Sequence, residues 1–456
     1  MRSIEQIIES TETLINNKTG KSLSFIQKAV LSASLLETKK SYGQIAIENN
    51  YSENYIRQLV APKLWQLLSN TLGEKVNRTN CRAVLEQRLD NSSLQTSQPT
   101  QMRPKIDLEP PEGQVSLSST LYIERNVEQV CYQAILQPRA FIHIKAPRKM
   151  GKTSLMTRIL AYGSSHSYHT VRLSLHRAET EVFSSLEKFL RWFCTNVTYQ
   201  LGIKSKLEEY WDEDMGDLMN CTIYFQVYVL QEISTCFILA LDEVNKLFEY
   251  PQLTRDFLGL LRSWYEETRD ISIWQKLRVL IVKSTDIYIN LDINKSPFNV
   301  GLAIELPSFT RLQVEDLAQR HRLQLTALQF EQLMALTGGF PYLVRLVFYH
   351  SVQRQIPVDT LLQNATTDTG IFSEYLHKQL HSLLQSPDLV ISFQQVINSA
   401  TPITLEQEVA FKLKSLGLIH LEGKTAMISC GLYREYFNDY FTTNTAIPNY
   451  SESTIT

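Results

Sequence analysis

Four short apolar runs punctuate the middle of the chain: "AFIHIKA" (140–146), "HTVRLSL" (169–175), "CFILALDE" (236–243) and "LRVLIVKST" (277–285). Long amphipathic stretches such as "FSSLEKFLRWFCTNVTYQL" and "MNCTIYFQVYVLQEI" separate them. Buried strands alternating with helices predict an α/β core on a parallel sheet. From about Thr310 the period becomes helical, in "RLQVEDLAQRH", "TALQFEQLMALTGG" and "PYLVRLVFYHSVQ", which predicts an α-helical lid. From about Gly370, helices lead into "GLIHLEGKTAMISC", two short runs around Glu422-Gly423-Lys424. A hairpin there, after helices, predicts a C-terminal winged helix.

The first 90 residues are helical in pattern, with no β-rich run, and predict an N-terminal all-α domain. The stretch "DNSSLQTSQPTQMRPKIDLEPPEGQVSLSS" (90–119) is rich in Ser, Pro and Gln and poor in apolar residues, the texture of a flexible linker. The expected organisation is a helix-turn-helix domain (1–90), a linker (91–117), an α/β core (118–310), a lid (311–369), a winged helix (370–442) and a loose polar tail (443–456). No fixed-period repeat is present, which excludes a solenoid or propeller.

Composition narrows the class. With 456 residues and ordinary apolar and charged fractions the chain holds two or three globular domains. A formal net charge of −2 supplies no global field toward nucleic acid, so such a role needs a local patch. The six cysteines form no C-x-x-C pair, which argues for reduced thiols rather than a zinc site. The opening "MRSIEQIIESTETLINNK" has no apolar core of a signal peptide, and no apolar run reaches spanning length. A soluble, cytoplasmic protein with no membrane partner is expected.

The chemistry concentrates in "KAPRKMGKTS" (145–154). It follows an apolar run and precedes a helical one, the strand–loop–helix context of the phosphate-binding pattern G-x-x-x-x-G-K-[ST]. Ala146 replaces the leading glycine, a mild change if that position does not need a positive φ. Pro147, Arg148, Lys149 and Met150 complete the loop, stiffening it and adding positive charge. Its N–H groups and the helix start, from Gly151 to Ser154, point at phosphate oxygens. Lys152 is placed to reach the β- and γ-phosphates and Thr153 to bind Mg²⁺. About 90 residues on, "CFILALDEVNKLF" ends an apolar run in two acids. Asp242 is the expected second holder of the Mg²⁺ shell, and Glu243 the expected group that orients or deprotonates the attacking water.

Two weaker candidates complete the set. Ser284 or Thr285, at the end of "LRVLIVKST", is placed to touch the γ-phosphate or the water, although a simple strand end fits equally well. In "TGGFPYLVR" (337–345), Gly338-Gly339 ends one helix and Pro341 starts the next. Such a lid packs on adenine and carries Arg345 toward phosphate; an ordinary inter-helix turn with a surface arginine is the competing reading.

In the N-terminal domain, "SYGQIAIENNYSENYIRQLV" (41–60) reads as two helices around a turn. Ile45-Ala46 is the buried pair, Asn50-Tyr51 the turn and Ser52 the N-cap. Asn54, Arg57 and Gln58 then face outward as candidate base readers, with Lys63, Lys75, Arg78 and Arg82 as candidate phosphate contacts. Pro62 is expected to interrupt the helix and start a new one. The charge surplus over residues 1–90 is small, 12 Lys and Arg against 9 Asp and Glu, so a protein-binding role stays open beside duplex DNA.

Three stretches carry a family resemblance: "LYIERNVEQVCYQAILQPRAFIHIKAPRKMGKTSLMTRIL", "LALDEVNKLFEYP" and "DINKSPFNVGLAIELPSFT". Together they resemble the AAA-like domain family common in cyanobacteria, itself similar to STAND-type and archaeal P-loop ATPases. The likeness extends over about residues 118–440, with "GLYREYF" (431–437) resembling the winged-helix ending. It implies an ASCE/AAA-like P-loop NTPase fold, ATP or ADP with Mg²⁺, slow hydrolysis, and switching between closed and open states. It also implies that Tyr122-Ile123-Glu124-Arg125 borders the adenine. Asn245 stands where relatives often carry Asp. No arginine finger is assigned, Arg262 and Arg269 being only plausibly spaced. The first 90 residues resemble helix-turn-helix domains attached to such modules in cyanobacterial signalling and conflict systems. The expected molecule is an ATP-dependent regulatory switch with a DNA- or protein-binding N-terminus, an unidentified protein partner and nucleotide-dependent oligomerisation. The alternatives are a nucleotide-stabilised adaptor and a ring-forming DNA-remodelling ATPase.

Overall fold

The structure, a computed structural model, describes residues 7–8, 11, 15, 23, 25–36, 40–48, 53–85, 108–284 and 297–444. The chain divides into two units, Met1–Lys105 and Ile106–Thr456.

The first unit is helical. Helices α1 (Phe25–Leu35) and α2 (Tyr42–Glu48) precede a third helical stretch, α3, over 53–72. Val30, Leu31, Ile45, Ala46, Ile56, Leu64 and Leu68 form its core, so the Ile45-Ala46 pair is buried as expected. The expected turn at Asn50-Tyr51 and cap at Ser52 lie outside the described residues. Pro62 does not end the helix, contrary to expectation. Proline removes one N–H and clashes with the carbonyl four residues back. Here the backbone widens into a π-turn over Ile56–Val60, and the helix runs on through Ala61–Leu72 with Val60 still helical (φ −77°, ψ −53°). A one-turn widening relieves the clash without breaking the rod.

The second unit is built on a five-stranded parallel sheet: β1 (Phe141–Ala146), β2 (His169–Ser174), β3 (Phe237–Asp242), β4 (Leu277–Ser284) and β5 (Leu302–Glu305), in the order β2-β3-β4-β1-β5. Four match the apolar runs. The fifth was not evident in the hydrophobic pattern because it is a short edge strand with one buried residue, Ile304. The strands are apolar on successive residues because both faces are covered. Ile142, Ile144, Ile238, Ala240, Leu280 and Val282 face one core, shared with the lid and the C-terminal helices. Val171, Leu173, Phe237, Leu239, Val279 and Ile281 face the other. That second core is aromatic: Phe193 stacks on Phe225 at 5.4 Å, and Trp264 on Trp274 at 5.0 Å.

Helix α4 (Asn126–Leu136) leads into β1, and α5 (Lys152–Ser165) follows it. Between β2 and β3 lie α6 (Leu186–Leu201) and α7, whose α turns Asp217–Ile223 and Leu230–Glu232 flank a π segment, Tyr224–Val229. Helix α8 (Pro251–Glu267) connects β3 to β4. The lid comprises α9 (Arg311–Arg320), α10 (Ala327–Thr337), α11 (Pro341–Arg354) and α12 (Val358–Gln363). A terminal unit follows, with α13 (Ser373–Leu384), α14 (Pro387–Asn398), β6 (Ile403–Thr404), α15 (Gln407–Ser415), β7 (Ile419–Glu422), β8 (Thr425–Ile428) and α16 (Gly431–Thr443). The hairpin register pairs Glu422 with Thr425, leaving Gly423-Lys424 as a two-residue turn with Gly423 at φ +61°. Helices plus a three-stranded antiparallel sheet give the expected winged-helix arrangement.

One boundary is corrected. Residues 108–117, expected to end a flexible linker, lie along the second unit. Val115 N donates to Ser154 Oγ (3.0 Å), and Arg158 donates to the carbonyls of Val115 (3.1 Å) and Ser116 (2.8 Å). Their Pro, Gly and Ser content suits a strap held by backbone acceptors as well as it suits a tether. Among the described residues no helix is long and apolar enough to cross a membrane.

The Gly338-Gly339 turn between α10 and α11 is sterically fixed. Gly339 sits at φ +68°, and a Cβ there would fall 2.1 Å from the Phe309 carbonyl oxygen. Phe309 N donates to the Gly339 carbonyl at 2.8 Å, joining the end of the sheet domain to the lid. Gly339→Ala is expected to destabilise the second unit by more than about 1 kcal/mol, read as a fall in its denaturation midpoint.

Candidate functional site

Parallel strands end together, so the sheet delivers its C-terminal residues to one edge. Register pairs Ala146 with Ser284 and Ser174 with Asp242, and β4 lies between β1 and β3. The phosphate-loop candidates sit on this edge. Ala146 is the last residue of β1, fully buried and outside the positive-φ region, so the missing leading glycine carries no conformational cost. The loop's positive φ values fall at Lys149 (+64°) and Gly151 (+94°). Gly151 is the N-cap of α5, and a Cβ there would come 3.1 Å from Arg125 Nη2, so only glycine fits without adjustment.

Lys152 and Thr153 occupy the first turn of α5. Lys152 is buried, and its Nζ donates to the carbonyls of Ala146 (2.8 Å) and Pro147 (2.9 Å), folding over the loop. Thr153 Oγ1 lies 3.5 Å from Asp242 Oδ2, so the two expected Mg²⁺ holders meet. Burial raises the Asp242 carboxyl above its ordinary value, and the hydrogen bond and charge of Arg172 pull it back down. Arg172, on β2, donates to Asp242 Oδ2 at 3.0 Å. Glu243 stands just beyond in the left-handed region (φ +57°, ψ 41°), which few non-glycine residues adopt. Its Oε2 is 3.5 Å from His176 Nε2. Asn245 is buried and accepts from Ser284 N at 3.3 Å, tying the ends of β3 and β4. Among the described residues Ser284 Oγ has no hydrogen-bond partner. Thr285 lies outside the described residues, and Arg262 is engaged by Glu266 on its own helix.

Beside this edge is a cleft whose lining includes Tyr122, Ile123, Lys149, Met150, Gly151, Ser154, Pro341 and Arg345. All eight are positions expected to bind the nucleotide or border its base. Arg148 is exposed at the crest of the loop. The lid therefore reaches the loop: Arg345 is buried, and Lys149 Nζ sits 3.5 Å over the Tyr342 ring. A buried arginine facing the cleft is a different object from a surface arginine on an ordinary turn.

Beneath the cleft is a polar network that the sequence reading missed. Tyr122 OH donates to Glu128 Oε1 (2.7 Å), which also accepts from Arg125 N (3.1 Å). Arg125 Nη1 donates to the carbonyls of Met150 (3.0 Å) and Pro307 (3.2 Å), clamping the loop from below. The Arg158 guanidinium lies 3.3 Å over the Tyr122 ring. Burial pushes the Glu128 carboxyl up, opposed by the Tyr122 hydroxyl and by Arg125. The only sequence signal was a Glu three residues after Arg125 at a helix start, the N3 position of a capping box.

In the first unit Asn54, Arg57, Gln58 and Lys63 are exposed. Arg57 is bound to Glu53 one turn back. Two expected phosphate contacts are corrected: Arg78 donates to the Lys40 carbonyl and stacks over Tyr42 at 4.4 Å, and Arg82 donates to the Leu35 carbonyl at 3.0 Å. Both arginines hold the helices together.

A 2-3-4-1-5 parallel sheet with a glycine-capped phosphate loop after β1 and an acid pair after β3 defines a P-loop NTPase. More narrowly, the chain belongs to the AAA-like domain family, whose model matches residues 110–439. That span includes the end of the strap. A second family model, described as vWA-MoxR associated protein N-terminal HTH, matches residues 2–88. No curated protein matches the sequence significantly. Among solved structures, the Walker-type ATPase PABY2304 of Pyrococcus abyssi is 14% identical, with 70% of this chain and 96% of that one covered and a TM-score of 0.48. The Aeropyrum pernix ORC2 protein (ADPNP–ADP complexes) gives 11%, 71%, 94% and 0.42. The ORC1 protein of the same organism, in complex with DNA, gives 13%, 72%, 97% and 0.35.

The Arg125–Glu128 pair is almost fully enclosed, with side chains 3% and 0% exposed. Arg125→Ala removes the partner of a buried carboxylate and is expected to cost about 3–5 kcal/mol, measured by urea denaturation. Arg125→Ala paired with Glu128→Gln should recover part of that loss.

Proposed function

We propose that the chain is a nucleotide-dependent switch: a slow ATPase whose state governs what its N-terminal helix-turn-helix presents. The observation that carries this reading is the meeting of Thr153 with Asp242 beside Lys152, next to a cleft that Gly151 and Ser154 line together with Arg345 of the lid. The residues fit a magnesium nucleotide. The N–H groups at the start of α5 donate to phosphate oxygens, and Lys152 adds positive charge. Thr153 and Asp242 would hold the metal, which would supply neutralisation of phosphate charge. Tyr122 and Pro341 flank the base, and Arg345 approaches the phosphates from the lid. Glu243, steadied by His176, orients the attacking water, with Ser284 at the end of β4 beside it. Turnover is slow in the isolated chain: an arginine at the γ-phosphate adds about 10³–10⁵-fold, and assembly with a second copy or a partner supplies it. Six free cysteines suit a reducing cytoplasm.

The N-terminal unit offers Asn54, Arg57, Gln58 and Lys63 to duplex DNA, in a signalling, transcription-control or conflict role. A second reading is favoured by one observation: Arg57, Arg78 and Arg82 are all bound within the unit, which thins the positive face. In that reading the helix-turn-helix docks on a protein, of the vWA–MoxR kind that its family description names. Duplex binding by the full chain decides between them. Contacts to phosphates give a log–log salt slope of about −0.9 per phosphate, and Asn54→Ala with Gln58→Ala should relax sequence preference. A slope near zero favours the protein partner.

The nucleotide site is tested by content and turnover of purified protein. Lys152→Ala should lose bound nucleotide. Glu243→Gln should retain it while turnover falls by roughly 10²–10⁴-fold. Equal nucleotide retention by wild type and Lys152→Ala would contradict the site.

A further inference from the structure

The strap at 109–116 touches the three parts of the site that must act together. On the lid side, Arg345 Nη2 donates to the Pro110 carbonyl at 3.3 Å and lies 4.0 Å from Glu109 Oε2. Tyr342 OH reaches Glu112 Oε1 at 3.5 Å, and the Glu112 charge acts on both Lys149 and Arg345. On the sheet side, Gln114 Oε1 accepts from Arg172 Nη1 at 3.0 Å, while the other guanidinium nitrogen, Nη2, is on Asp242 Oδ2. Between them, Val115 and Ser116 are pinned to Ser154 and Arg158 of α5.

These partners are not generic. Glu109 and Glu112 offer carboxylates to Arg345 of the lid and Lys149 of the loop, cations that would meet phosphate. Arg172 puts a cation on the carboxylate oxygen that lies nearest Thr153, which is the oxygen a metal shell would use. The strap thus supplies anion where nucleotide supplies anion, and holds cation where the metal supplies cation. Charges at one site compete directly, and a segment that binds only one of two states shifts the equilibrium by its differential affinity.

We propose that residues 109–116 are an internal competitor of the magnesium nucleotide: an autoinhibitory strap that bridges Arg345 of the lid and, through Arg172, the Asp242 carboxylate, and that must leave for nucleotide to engage both. The proposal rests on the nucleotide site described above. It makes the segment that opens the AAA-like match the regulator of that site. Anything that draws on the chain ahead of residue 109 opens the cleft, and nucleotide that enters releases the strap.

The test uses full-length protein and fluorescent ADP and ATP analogues with Mg²⁺. Glu109→Gln with Glu112→Gln keeps size and hydrogen bonding and removes the partly solvated Glu109–Arg345 pair and the Glu112 charge that acts on Lys149 and Arg345. Affinity should tighten roughly three- to tenfold, with Gln114→Ala adding to it. Unchanged or weaker binding by the charge variant, with wild-type binding still dependent on Lys152, overturns the strap and leaves the nucleotide site standing. Absence of Lys152-dependent binding in the wild type overturns the site itself, and the strap with it. Hydrogen exchange gives an independent reading that does not rely on variants. Saturating MgATP should speed exchange across 109–116, including the Val115 amide. Slower exchange there would show a strap that clasps nucleotide, and would overturn the competitor role.

Discussion

The contact between Thr153 and Asp242 depends on where β4 runs. Inserting β4 between β1 and β3 spaces the phosphate loop from the acid pair by one strand, and parallel pairing brings both to the same edge. A hydroxyl on the first turn of α5 then spans the gap. The rest of the second unit serves this spacing. Two apolar layers enclose the sheet, so register slip would turn core residues to the wrong face, and the strand ends are fixed relative to each other. Asn245 adds a direct tie across the ends of β3 and β4. Its amide does this without adding a negative charge beside Asp242.

Much of this was legible in the sequence, and for definable reasons. The four buried strands announce themselves because both faces are covered, and the loop announces itself because its chemistry demands adjacent residues. Ala146 looked like a defect only against a pattern; its strand backbone has no need of glycine. What stayed hidden is what depends on distant parts of the chain meeting. Arg172 and His176 carry no local signal of being 3.0 and 3.5 Å from the acid pair, since they lie about 70 residues earlier. Arg125 under the loop is likewise invisible until α4 and the loop are packed. Pro62 misled because the rule against helix-interior proline assumes a regular α-turn before it, and a π-turn removes the assumption. The strap misled because composition reports an affinity for water, whereas its attachment runs through backbone carbonyls, which composition does not encode.

A Gly-Gly-x-Pro sequence says only that two helices turn sharply. The 2.1 Å approach that a Cβ at Gly339 would make to the Phe309 carbonyl oxygen reserves that turn for glycine. Arg345, one turn into α11, is buried against the cleft rather than left on the surface. A buried guanidinium is costly unless acceptors surround it, so its presence there is evidence of a site built for anions.

The charged groups in and beside the cleft already have partners within the chain. Lys152 is on two loop carbonyls, Arg345 on a strap carbonyl, and Asp242 on Arg172. Groups this enclosed could not stand unpaired without costing several kcal/mol each. Ligand binding is therefore an exchange of one set of ionic partners for another, and its free energy is a difference between two sets of similar size. Such a difference is easily moved by a few charges, whereas a preformed empty cradle would bind tightly and respond to little. The same reasoning bears on the direction of control. Because residues 109–116 hold Arg345 directly and Arg172 through Gln114, occupancy of the site and the freedom of that segment are linked thermodynamically, and each must bias the other to the same extent.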